Sequence, residues 1–385
     1  MQISTCARGR YPNLDLCPGA CEEPHTQLVN RGMVLKGVVM PTQSAAPGDR
    51  PAGAALQRVA NRPIVCHVLE ELQRAGVQEV LVVAPSGESD ELRASIVADG
   101  PAGIDVCYMP HEHTLEQALG AVGELVGDAP CVVHAADGLL AQPLCELVER
   151  LTPAHDGGGA PDLVALVHGP AGGGTTTLAA RRLMRLVESP PNGVPLGVAG
   201  ACLFGPGALR RAGAMRAWHG GELDLAAVAE RFVGEGGQLR IERVRGWWRY
   251  TGGPAELLAM NHFLLDALRA ESSSVNGTGS RIEGCVAVHP TACVQSSTIV
   301  GPVLVGPGAL VLEAYIGPYT SIGADVRIEG AEVERSIVLP RASITHIGGR
   351  LVESVVGRDA RIFRDFSLPR ALRMNVGDGG EVALC

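Results

Sequence analysis

Ile316-Gly317-Pro318-Tyr319-Thr320-Ser321-Ile322-Gly323-Ala324-Asp325-Val326-Arg327-Ile328 sets an isoleucine at every sixth position. The interval recurs through Val288, Val294 and Val300, through Ile299, Val305 and Val311, through Val338 and Ile344, and through Val356 and Ile362. Glycine often follows the aliphatic residue, as at Gly317 and Gly323. A six-residue repeat is the signature of a parallel β-helix, in which each coil buries one aliphatic side chain per face. A Val/Gly-rich sandwich is the weaker alternative. Such a prism does not close its own ends, so it is expected to serve as an oligomer contact.

Upstream, 271–280 is a Ser/Gly/Asn run and reads as a linker. Before it the pattern alternates between short aliphatic runs and helical spacing. Strands are predicted at 34–40, 80–84, 104–108, 131–135 and 162–168, with a strand-like run at 181–188. Helices are predicted at 63–75, 89–97, 114–126 and 254–269, the first from the spacing of Ile64, Val65, Val68, Leu69 and Leu72. This order implies a parallel sheet. The predicted division is a Cys-containing leader at 1–32, an α/β domain at 33–270, the linker at 271–282, the β-helix at 283–365 and a tail at 366–385. The leader lacks periodicity and reads as disordered. Its Cys17 and Cys21, with Cys6 and His25, are a weaker reading as a metal or redox site.

The chain has 385 residues and a formal charge of −9. Lys36 is its single lysine, so no chemistry needing a lysine elsewhere is available. The acidic balance argues against nucleic acid as a partner. No window reaches membrane-spanning length and no signal peptide is evident, so a cytoplasmic protein is expected. The eleven cysteines read as reduced thiols, with Cys66, Cys107, Cys131 and Cys202 as small core residues.

Six stretches resemble the sugar-1-phosphate nucleotidylyltransferases, and among them the long-form glucose-1-phosphate thymidylyltransferases of deoxysugar and antibiotic pathways. Val59-Ala60-Asn61-Arg62-Pro63, followed by Ala75-Gly76-Val77-Gln78-Glu79-Val80, is similar to the family's "VANKP…AGI-EV". The run from Cys131 through Asp137 to Leu140 is similar to "FVVYLGDNLL", and Val187-Glu188-Ser189-Pro190 to "VEKP". Gly221-Glu222-Leu223-Asp224 matches "GELE", and the run from Gly246 to Pro254 matches "GWWKDTGKP". Gly317 to Gly323 matches "GPYTSIG". The resemblance implies a Rossmann-like mixed α/β sheet followed by a left-handed parallel β-helix. It also implies attack of a sugar phosphate on a nucleoside triphosphate, with diphosphate leaving and Mg²⁺ assisting. It places Glu188, Ser189, Gly200, Glu222, Trp248 and Tyr250 at substrate-binding positions, and Asp137 at a catalytic, metal-binding one.

The chain departs from the family where phosphate and metal are handled. The loop after the first strand, Pro41 to Arg50, lacks the family's glycine pair, and its prolines remove amide donors. Arg50 is its only cation, out of register. The family's two lysine positions hold Ala54 and Ser189; the metal aspartate of "WKDTG" is Tyr250, and the asparagine of "GDN" is Gly138. Codon bias would have left arginine at the lysine positions, as Arg62 is left in "ANRP". The expectation is therefore a divergent homologue, impaired or altered in nucleotidyl transfer and needing Mg²⁺ only if active. Its expected partners are a nucleoside triphosphate and a sugar phosphate, and a homo- or hetero-oligomer formed with an active paralogue through the β-helix. Two alternatives stand beside it. One is an active nucleotidylyltransferase using Arg50 and Asp137 in a rearranged loop. The other is a β-helix acyltransferase with His289 or His346 as base. His134 reads as a core residue or a cleft residue. Gly172 to Thr177 lacks the lysine of a phosphate loop, and His111-Glu112-His113 reads as a polar strand edge.

Overall fold

The computed structural model describes residues 34–40, 53–85, 89–111, 122–151, 160–169, 178–186, 196–214, 225–268 and 279–364. Its first part is a seven-stranded sheet. In chain order the elements are β1 (Lys36–Met40), β2 (Arg58–Val59), β3 (Arg62–Pro63), α1 (Ile64–Arg74), β4 (Glu79–Pro85), α2 (Ser89–Asp99), β5 (Asp105–His111) and β6 (Cys131–Ala135). There follow β7 (Gly138–Leu140), α3 (Leu144–Val148), β8 (Leu163–His168), α4 (Leu178–Leu186), β9 (Gly197–Phe204) and α5 (Ala208–Ala214). The last are α6 (Leu225–Gly234), β10 (Leu239–Val244), β11 (Trp247–Arg249) and α7 (Pro254–Asp266).

The sheet order is β10-β8-β9-β6-β1-β4-β5. β1 runs parallel to β4 and β6, whereas β9 runs antiparallel to both β6 and β8, so the sheet is mixed. Successive strand residues point to opposite faces. Val39, Val82 and Val132 pack beneath α1, and Val38, Val83 and Val133 pack with Leu183, Leu209 and Phe232 of α4, α5 and α6 on the other side. Two apolar faces demand two covering layers, which gives the α/β/α sandwich. Lys36, at the start of β1, pairs with Glu79 at 3.2 Å. That exposed pair contributes little to stability.

Residues 181–188, expected to be strand-like, fall mostly in helix α4 instead. Leu178-Ala179-Ala180-Arg181-Arg182-Leu183-Met184-Arg185-Leu186 has no β-branched residue and is rich in helix formers. Ala180 and Leu183 bury one face, and Arg182 reaches across to Glu230 of α6 with two hydrogen bonds. Of the helix expected at 114–126, the described residues 122–126 are helical.

From Arg281 to Phe363 the chain winds into three parallel sheets of five strands each. Equivalent interior residues stack as Ile282, Ile299, Ile316 and Val333, as Val288, Val305, Ile322 and Val338, and as Val294, Val311, Ile328 and Ile344. This is the parallel β-helix, with a refinement of the period. In the coils that begin at Ile282, Ile299 and Ile316 two faces advance by six residues, but the step from Val294 to Ile299, from Val311 to Ile316 and from Ile328 to Val333 is five. Ser296, Glu313 and Gly330 turn that tighter corner in the left-handed region, at φ 49°, 47° and 56°. Val300, counted with the hexads, is therefore displaced to the partly exposed outside, and Ile299 takes the interior place.

One face of the prism docks on the α/β part. Ala287, Leu304 and Ile337 point outward from it into an apolar cluster with Val59, Ile64, Leu257, Met260 and Leu264. Two asparagines clamp this joint. Asn261 of α7 accepts a hydrogen bond from the Ala60 amide (2.9 Å) and donates to the Tyr319 carbonyl (3.1 Å). Asn61 donates to the Ile322 carbonyl (2.7 Å). Ala60 and Asn61 both have positive φ in the turn between β2 and β3, and asparagine tolerates that conformation better than most residues.

The cysteines divide. Burial pushes the thiols of Cys66 and Cys202 up to about 12, and that of Cys131 well up too, so these are inert core residues. Cys107 is exposed, contrary to expectation, on the edge strand β5. Cys145 is disulfide-bonded, which corrects the reading of all eleven as reduced. Cys6, Cys17, Cys21 and His25 lie outside the described residues.

Candidate functional site

Ligand crevices of open α/β sheets lie beyond the carboxyl ends of the parallel strands. β6 ends there at Ala135, and the Ala136 amide still donates to the Met40 carbonyl at the end of β1 (2.8 Å). Asp137 comes next. Because β9 is antiparallel, its first residues lie where β6 finishes, which brings Gly200 against Ala135. β7 pairs antiparallel with β11, setting Gly138 opposite Arg249, Leu139 opposite Trp248 and Leu140 opposite Trp247. The Tyr250 amide donates to the Asp137 carbonyl (3.0 Å), which extends that pairing by one residue.

This register decides the charge partner of Asp137. Its carboxylate is only 1% exposed, and Oδ2 lies 3.6 Å from Nε of Arg249, whose side chain is 28% exposed. The Trp247 indole lies against the backbone at Gly138 and Gly200. A Cβ on Gly138 would overlap Cη2 and Cζ2 of the ring, and one on Gly200 would stand 2.6 Å from Cζ2. Both positions therefore require glycine by close approach. Gly138, where the resembled family has asparagine, belongs to this packing. Gly200 is covered by the indole.

The other expected residues scatter. Trp248 stacks on Phe263 of α7 with ring centroids 4.3 Å apart. Tyr250 is buried with Leu139 and Leu257 in the cluster against the β-helix, and burial raises its phenol above the ordinary value. Ala54 is fully buried in that cluster and brings no charge to the cleft. Arg50, Glu188, Ser189 and Glu222 lie outside the described residues, as do Gly172 to Thr177, Glu112 and His113.

His134 resolves as a core residue. Its ring lies 5.5 Å from that of Trp247, and Nδ1 donates to the Ala135 carbonyl (2.7 Å). Burial lowers its pKa to about 4, and burial with the nearby Arg62 charge lowers that of His67 to about 3. Both rings are neutral at pH 7. Between their ordinary 6.5 and these values the unfolded chain binds protons that the folded chain refuses. Stability is thus fully present above pH 6.5 and should fall by a few kcal/mol as pH drops toward 4. Urea midpoints followed from neutral pH down to about 4 check this: His67→Gln and His134→Gln should each give a flatter curve than wild type. The β-helix histidines serve locally: Nδ1 of His289 accepts from the Thr291 amide (3.2 Å), and Nε2 of His346 lies 3.7 Å from Glu329.

Mg²⁺ does not fit these residues. Among the described residues no group of three His, Cys, Asp or Glu side chains could hold a metal. Asp137 already faces a guanidinium, and Tyr250 offers a neutral phenol in place of a second carboxylate.

No family model matches the chain. It is 28% identical over 336 residues to the glucose-1-phosphate thymidylyltransferase of Streptomyces antibioticus, which covers 86% of this chain and 93% of that protein. The glucose-1-phosphate thymidylyltransferase of Streptomyces griseus is 27% identical over 327 residues, covering 83% and 90%. The low-salt glycan biosynthesis nucleotidyltransferase Agl11 of Haloferax volcanii is 27% identical over 336 residues, covering 85% and 92%. A mixed α/β sheet, a parallel β-helix and these matches along most of the chain define a homologue of the sugar-1-phosphate nucleotidylyltransferases. The type it is similar to is the glucose-1-phosphate thymidylyltransferase.

Sequence reasoning missed Arg249 as the partner of Asp137. The signal was available as an arginine beside the lost metal aspartate, but only the β7–β11 register turns that adjacency into an ion pair.

Proposed function

We propose that this chain is a divergent protein of nucleotide-sugar chemistry, including antibiotic-sugar pathways, that has lost metal-dependent nucleotidyl transfer. It would act as a pseudoenzyme, or as an altered-function partner of an active paralogue joined through the β-helix, in the cytoplasm. The division into leader, α/β domain, linker, β-helix and tail is part of this reading. The observation that carries it is the Asp137–Arg249 pair. The retained carboxylate is already neutralised inside the protein, while Tyr250 and Ala54 supply neither a metal ligand nor a phosphate cation. Transition states of phosphoryl attack gain negative charge and need fixed cations, and removal of a single such contact typically slows reaction by about 10²–10³. The ligands considered remain a nucleoside triphosphate and a sugar phosphate.

The test is diphosphate release from a panel of nucleoside triphosphates and sugar 1-phosphates with Mg²⁺, wild type beside Asp137→Ala. Equal background from both is expected. Release that depends on Asp137 would establish instead the active reading with Arg50 in a rearranged loop.

A further inference from the structure

We propose that Arg249 is a built-in counter-ion that occupies the electrostatic place of a divalent metal at Asp137 and excludes metal from the cleft. This rests on reading the cleft as a nucleotidylyltransferase-type site. Three observations converge. Asp137 is buried, so its negative charge needs a partner close by. The guanidinium supplies it at 3.6 Å, from a strand held in register by the β7–β11 pairing and by the Tyr250 amide bond to Asp137. The next residue, Tyr250, is turned into the apolar cluster against the β-helix, so it brings no second carboxylate to the cleft.

A fixed positive charge this close to the carboxylate repels any cation that approaches it. Metal exclusion is thus a property of the folded strand pair. A ligand entering this cleft would bind without a divalent-cation requirement, and its own charges would meet a site already neutral at Asp137.

Terbium(III) is a suitable probe, because it seeks oxygen ligands and its luminescence is sensitised by nearby indoles. Trp247, beside Gly138, is such an indole. The full chain is titrated with terbium(III) as wild type, Arg249→Gln, Asp137→Asn and Arg249→Gln/Asp137→Asn. Wild type is expected to show no sensitised emission beyond that of Asp137→Asn. Arg249→Gln should gain emission on the order of tenfold over wild type, as removal of an adjacent unit charge implies, and the double variant should lose it. Arg249→Met, which keeps the apolar stem, replaces Arg249→Gln if circular dichroism shows the latter unfolded. Wild-type emission abolished by Asp137→Asn would overturn the proposal. So would a folded Arg249 variant that gains nothing. A metal-independent nucleotidyl transfer, by contrast, would sink the pseudoenzyme reading and leave metal exclusion standing.

Discussion

Arg249→Ala should lower the stability of the chain by about 3 kcal/mol, the lower end of the range for breaking a buried ion pair. The size follows from the asymmetry of the pair. Asp137 is 1% exposed and cannot turn to water when the guanidinium goes, so a buried carboxylate loses a cation that solvent does not replace. Arg249 is 28% exposed and can turn its guanidinium outward when Asp137 goes. Asp137→Asn should therefore be much the milder change. The double variant Arg249→Ala/Asp137→Asn should recover much of the loss, since it removes the stranded charge. Urea unfolding of the four proteins reads this as a double-mutant cycle. If the double variant is no more stable than Arg249→Ala, the lost stability comes from packing of the arginine stem and the electrostatic account fails.

Asn261→Leu should be at least comparable, at about 2–5 kcal/mol, because it strands two backbone groups at once. The Ala60 amide loses its acceptor and the Tyr319 carbonyl loses its donor, both at the joint between α7, the β2–β3 turn and the β-helix. Leucine is similar in size, so the loss is of hydrogen bonds more than of volume. The joint also lies between two separately cored units: the interior stack of the β-helix has its own apolar residues. Weakening the joint should split the unfolding of the chain into two transitions, the β-helix persisting to higher urea. Fluorescence and circular dichroism would then cease to coincide. Asn61→Gly, which keeps the positive φ but removes the bond to Ile322, should show the same splitting with a smaller loss. A single coincident transition in Asn261→Leu would show that the apolar cluster alone holds the two parts together.

The candidate site was legible in part. The loss of the family's lysines could be read directly, because Ala54 and Ser189 are not arginine. The retained aspartate could be read too, as Asp137 follows the Cys131–Ala135 strand. What becomes of its charge could not. Asp137 and Arg249 lie far apart in the chain, and nothing in either local pattern states that Gly138 and Arg249 face each other. Likewise, Tyr250 reads as a lost metal ligand, but its burial against the β-helix depends on where that helix docks.

The fold divides in the same way. Sequence alone determined that a β-helix follows an α/β sheet, because hexads and helical spacing are local, one-dimensional signals of which side chains leave water. It did not determine the five-residue corner that moves Val300 outward, since an apolar residue beside another satisfies either register. Nor did it settle α4, where short apolar spacing suits strand or helix until Ala180 and Leu183 find a shared face. Tertiary structure decided these points, and the pairing of Asp137 with Arg249, because burial and charge neutralisation are set by residues that meet only when strands from distant parts of the chain come into register.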